Sequence, residues 1–115
     1  MLRVRDLELG YGEEPVIAGV TLEVPAGKFV SLVGPSGSGK TSILRAVNGL
    51  LAPRSGRVEL NGSGNTLGFL FQDDALLPWR TARENVALGL RIRNMSKEEA
   101  ESEADAWLTR LGLDG

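Results

Sequence analysis

Eight consecutive residues, Gly34-Pro35-Ser36-Gly37-Ser38-Gly39-Lys40-Thr41, constrain this chain more than any other stretch. They satisfy the phosphate-loop pattern G-x-x-x-x-G-K-[ST] at every fixed position. The apolar run Phe29-Val30-Ser31-Leu32-Val33 precedes them and predicts a buried strand, central in a parallel sheet. Ser42, Ile43, Leu44, Ala46 and Val47 follow at helical spacing. Strand, glycine turn and helix are the context such a loop requires. Gly34, Gly37 and Gly39 carry no Cβ, so the backbone can curl with its N–H groups turned inward. The first turn of the following helix, through Ser42, adds unpaired N–H donors and the positive end of the dipole. Lys40 supplies a point charge for β- and γ-phosphates, and Thr41 a hydroxyl for Mg²⁺. The expectation is a nucleoside triphosphate site.

A length of 115 residues permits one domain of ordinary size, and 24% charged against 42% apolar residues is a globular balance. The net charge of −2 gives no argument for nucleic acid or a membrane surface as the main partner. Cysteine is absent, which excludes disulfides and thiolate metal sites; histidine is absent too, removing the commonest general base. No apolar run approaches the ~20 residues that span a bilayer. Met1-Leu2-Arg3-Val4-Arg5 lacks the apolar core of a signal peptide, so a cytoplasmic protein is expected.

Residues 2–9 alternate as a half-buried strand, with Leu2 and Val4 followed by Leu7 and Leu9 and a shift of phase at Arg5-Asp6. Tyr11, between two glycines, ends it. Residues 16–24 predict a second strand with Val20, Leu22 and Val24 on one face, paired antiparallel to the first because no helix separates them. The helix after the phosphate loop is expected to stop near Asn48-Gly49, with Pro53 beyond. Short strands are expected at residues 57–60 and 67–71, the second almost wholly apolar and broken by Gln72-Asp73-Asp74. Two helices follow, each opened by a capping box: Thr81 with Glu84, and Ser96 with Glu99. The last carries Ala100, Ala104, Trp107, Leu108 and Leu111 on one stripe, which assigns Trp107 to the helical core. Its early acidic cluster around Glu98 reads as a solvated face.

Taken together, these features resemble the first half of the ATP-binding subunit of an ABC transporter. The resemblance implies an α/β P-loop NTPase fold: antiparallel strands, a Walker A strand–loop–helix, and the start of a helical subdomain. Residues 1–115 would form a partial ATP-binding domain, with about 1–72 in the nucleotide-binding core and about 73–115 in the Q-loop and helical subdomain. Residues 34–41 match the Walker A loop, and the segment from Gly49 to Gly56 matches the connection after its helix. Phe71-Gln72 is similar to the start of the Q-loop, 32 residues after Lys40. The resemblance places Gln72 at the Mg²⁺ and attacking water, alongside Lys40 as a catalytic residue and Thr41 as a metal ligand. It places Tyr11 on the adenine, where stacking gives base affinity without hydrogen-bond readout. The expected nucleotide-binding set is therefore Tyr11, Gly34, Pro35, Ser36, Gly37, Ser38, Gly39, Lys40, Thr41 and Ser42, with ATP and Mg²⁺ as cofactors.

Leu76-Leu77-Pro78-Trp79 before a capped helix is similar to the importer branch that handles nitrate, sulfonate, taurine and related compounds. An apolar, proline-stiffened segment beside the Q-loop makes a docking surface for a partner helix. The resemblance implies a permease contact around Gln72 to Trp79, a second ATP-binding subunit joined head to tail, and a peripheral position on the inner face of the membrane. No nucleic acid partner is implied. The family's signature motif, its carboxylate-ended strand and its switch histidine are missing from these residues. The expectation is a truncated portion that cradles ATP while the groups for hydrolysis lie elsewhere. The alternative is a stand-alone nucleotide- or partner-binding module without turnover. An ABC-type ATPase of translation or DNA repair is disfavoured by the Leu76–Trp79 segment.

Overall fold

The computed structural model describes residues 1–61 and 67–113. The chain forms two compact units, Met1–Phe69 and Leu70–Gly115.

In the first unit, β1 (Leu2–Tyr11), β2 (Glu14–Val24) and β3 (Ser55–Leu60) form an antiparallel sheet in the order β2-β1-β3. The phase shift expected at Arg5-Asp6 is a bulge. Register slips between Val4 and Leu7, and Asp6 takes a left-handed backbone with φ 47°. Thr21 Oγ1 accepts the Asp6 N–H at 3.0 Å and thereby occupies the donor that the ladder loses. The bulge puts Val4, Leu7 and Leu9 on one face although they are not evenly spaced, and all three are fully buried. Each contributes roughly 1.5–3 kcal/mol through burial.

Helix α1 (Lys40–Val47) lies on that face, with Ile43 and Ala46 completing the core and Ile17, Val20, Leu22, Leu32 and Leu51 packed around it. It ends as expected at Asn48-Gly49. Gly49 adopts φ 73°, its N–H reaches Ala46 O at 3.1 Å, and the Leu50 N–H reaches Arg45 O at 2.8 Å. These are the two bonds of a Schellman stop.

Two expected strands do not form. Residues 29–33 and 67–71 take no regular secondary structure. Phe29 and Val33 are each 92% exposed, and within that run only Leu32 packs on the core. An apolar run of this kind becomes a strand only between neighbours that pair with it. At residues 29–33 the phosphate loop is thus led in by irregular chain, which Leu32 holds to the core.

The second unit contains α2 (Ala82–Ile92) and α3 (Lys97–Arg110), packed through Ala87, Ala100 and Ala104 with Leu90 beside them. Both capping boxes are present as read. The Thr81 backbone N–H and hydroxyl hold the Glu84 carboxyl below its usual range, and the Ser96 hydroxyl and N–H do the same for Glu99. These contributions are present above the ordinary carboxylate pKa and fade as pH falls through the lowered values. Trp107 does not join the core. Small alanines make the α2–α3 contact, so the bulky indole sits at the rim, 47% exposed. There its Nε1–H donates to Glu103 at 3.0 Å, and the Arg110 guanidinium lies 5.0 Å over the ring.

Candidate nucleotide site

The loop of residues 34–41 is closed by its own lysine. Lys40 Nζ donates to Gly34 O at 2.9 Å, to Pro35 O at 2.6 Å and to Ser38 Oγ at 3.2 Å. These bonds use all three ammonium donors and tie both ends of the loop to the start of α1. A turn bond from the Ser38 N–H to Pro35 O at 3.3 Å tightens the curl. Gly37 and Gly39 adopt φ 78° and 88°, which side chains rarely tolerate. At Gly39 there is a second requirement: a Cβ would stand 2.4 Å from Ile17 Cδ1 on β2. The last loop glycine is thus tucked against the hairpin, and this sets where α1 begins.

Gly39 caps α1 without any side-chain bond, and no acidic residue lies in the first turn. The positive end of the dipole is left uncompensated beside Lys40. Thr41 is exposed, while Ser42 is buried beneath the loop. This combination of bare backbone, ammonium and hydroxyl fits a polyphosphate with its Mg²⁺. Among the described residues no cluster of three or more Asp or Glu side chains stands ready to hold a metal.

Tyr11 ends β1 and is 53% exposed. The polar side chains of Ser42 and Arg45 on α1 lower the pKa of its hydroxyl below the ordinary tyrosine value. The base-stacking candidate and the phosphate loop thus meet on α1. Residues 34–38 and Thr41 of the loop are exposed. A cavity of about 460 Å³ in this unit lies elsewhere, along Arg3, Asp6, Thr21 and Glu23, and holds none of the phosphate-loop residues.

Gln72 belongs to the second unit, where it is exposed. Downstream of it, Leu76 is 65% and Trp79 76% exposed, whereas Leu77 turns partly inward. Asn85 holds this segment in place, a role that sequence reading missed. Its Oδ1 accepts the Leu77 N–H at 2.8 Å, and its Nδ2 donates to Leu77 O, Arg80 O and Thr81 O at 3.2, 3.2 and 2.9 Å. The one available signal was an amide side chain four residues inside a capped helix, and it did not single out this position.

Residues 17–115 match the family described as ABC transporter. The chain is 42% identical over 108 residues to the taurine import ATP-binding protein TauB of Pseudomonas putida, covering 90% of this chain and 41% of that protein. It is 39% identical to the sulfate/thiosulfate import ATP-binding protein CysA of Nocardia farcinica, of which it covers 37%. The chain therefore spans less than half the length of these relatives. Among solved structures, it superposes on the ATP-binding cassette MJ0796, in a dimeric post-hydrolysis state bound to ADP and Pi, with a TM-score of 0.80. Identity there is 32%, over 95% of this chain and 56% of that one.

Proposed function

The chain belongs to the ABC transporter family, and from that premise we propose that it is the nucleotide-cradling portion of an importer's ATP-binding subunit. The whole protein would couple ATP binding and hydrolysis to uptake of a small sulfonate-like or related oxyanionic solute. The observation that carries this reading is the Lys40-tied loop at the uncapped start of α1.

In this reading the triphosphate tail lies in the nest of N–H groups of Gly34 and of residues 36–42. Lys40 exchanges its bond to Ser38 Oγ, its longest, for phosphate oxygens while keeping Gly34 and Pro35 in place. Tyr11 stacks on the adenine. Thr41, through its hydroxyl, and Gln72, through its amide oxygen, would each offer a ligand to Mg²⁺, which would neutralise charge on the phosphates. Gln72 also orients the attacking water. A second ATP-binding subunit, joined head to tail, completes the site in the full protein, which sits on the cytoplasmic face of the membrane. Among the described residues no helix is long and apolar enough to cross a membrane. Contact with the membrane is then made through a permease, at Gln72 to Trp79. The exposure of Leu76 and Trp79 supports that docking role, and the chain's likeness to import proteins for taurine and for sulfate/thiosulfate supports the solute class.

The test is capture of the permease by the protein that carries these residues. Trp79→Ala should reduce capture by tenfold or more, an interface anchor being worth about 2 kcal/mol, and leave ATP affinity unchanged. Undiminished capture would refute the docking assignment.

A further inference from the structure

We propose that Arg54 is a positioning residue for the nucleotide base: it clasps the hairpin turn that presents Tyr11. The proposal rests on the reading of Tyr11 as the base platform.

Arg54 stands just before β3, and its backbone N–H donates to Glu8 O at 2.9 Å. Beside it, Ser55 Oγ donates to Glu8 Oε2 at 3.1 Å, so the root of the side chain is fixed against β1. From there the side chain runs along Gly10, where an added Cβ would stand 3.0 Å from Arg54 Nε. Its Nη2 then donates to Gly12 O. Gly12, at φ 60°, is the corner of the two-residue turn between Tyr11 and Glu14.

The guanidinium therefore links β3 to the tip of the β1–β2 hairpin, one residue beyond Tyr11. At the far end of the ring the Tyr11 hydroxyl faces the Ser42 and Arg45 side chains of α1. Arg54 acts on the backbone next to the ring. A fixed turn sets the tilt of the exposed ring that it presents, and stacking depends on that tilt. Reaching a carbonyl from the start of another strand needs a long stem with a planar fork, which arginine provides.

The closing experiment measures binding of ATP–Mg²⁺ and of tripolyphosphate–Mg²⁺ to the protein carrying this chain. The variants are Arg54→Met, Tyr11→Ala and the pair combined, with thermal unfolding to confirm folding. Arg54→Met should weaken ATP binding by about fivefold, the worth of one hydrogen bond, and leave tripolyphosphate unchanged. In the Tyr11→Ala background it should cost nothing further, because no platform remains to be positioned. Equal weakening of both ligands would assign Arg54 to the phosphate loop and overturn the proposal. Unchanged ATP affinity in Arg54→Met, with Tyr11→Ala impaired, would overturn it while leaving the Tyr11 reading intact. A Tyr11→Ala variant that binds ATP normally would remove the premise and the proposal together.

Discussion

Lys40→Ala is expected to weaken ATP binding by at least about a hundredfold, the scale of losing several charge-assisted bonds at once. The side chain has two roles that disappear together. It carries the one positive charge in the loop, and its three bonds to Gly34, Pro35 and Ser38 hold the curl closed. Removing it leaves the Gly34 and Pro35 carbonyls facing an incoming phosphate, so attraction is replaced by repulsion. Lys40→Arg should rescue little. It keeps the charge, but a planar fork does not match three acceptors spread around a compact ammonium. Calorimetric titration with ATP–Mg²⁺ checks this; a loss of tenfold or less would mean that the loop grips phosphate without its lysine.

Among the described glycines of the first unit, Gly56→Ala should be the most damaging replacement, costing about 3 kcal/mol or more. Gly56 opens β3 at φ 79°, directly across from the Asp6 bulge. An added Cβ would stand 2.3 Å from Asp6 O and 2.5 Å from Arg5 O, backbone atoms that cannot rotate away. Relief requires β3 to move off β1, or the bulge to shift and carry Val4 and Leu7 out of phase. Gly37→Ala is the control. It has a similar φ of 78° but open space around the Cβ, so it bears only the strain of the conformation. That strain is about 1–2 kcal/mol. Thermal unfolding should place Gly56→Ala well over 10 °C below the parent, at about 4–8 °C per kcal/mol for a unit of this size. Gly37→Ala should fall between the two. Equal shifts would show that the close approach at Gly56 adds no cost.

Local signals in the sequence were read correctly where the physics is local. The slip from Val4 to Leu7 announced the bulge, because two apolar pairs in opposite phase can share a face only across an inserted residue. Thr81 and Glu84, and Ser96 and Glu99, announced helix starts because each pair satisfies its own backbone donors. The curl of residues 34–41 was legible for the same reason, being set by glycines and a lysine within eight residues. What failed depended on distant partners. Residues 29–33 have strand composition, yet a strand exists only when neighbours pair with it. Trp107 lies on the apolar stripe of α3, but the alanines at Ala100 and Ala104 draw α2 too close for an indole. Asn85 and Arg54 act through side-chain bonds to backbone carbonyls 8 and 42 residues away in sequence, and no spacing rule marks such pairs. Asn94 was passed over as well. It ends α2 at φ 65°, in the place where glycine ends α1 and α3.

The most direct measurement is amide-resolved NMR of the protein carrying this chain, titrated with ATP–Mg²⁺. The N–H signals of Gly37, Ser38, Gly39, Lys40, Thr41 and Ser42 should move furthest, and tripolyphosphate alone should reproduce most of that movement. If those amides stay still while ATP binds, with the largest shifts in other segments, the backbone of this loop is not what holds the phosphates.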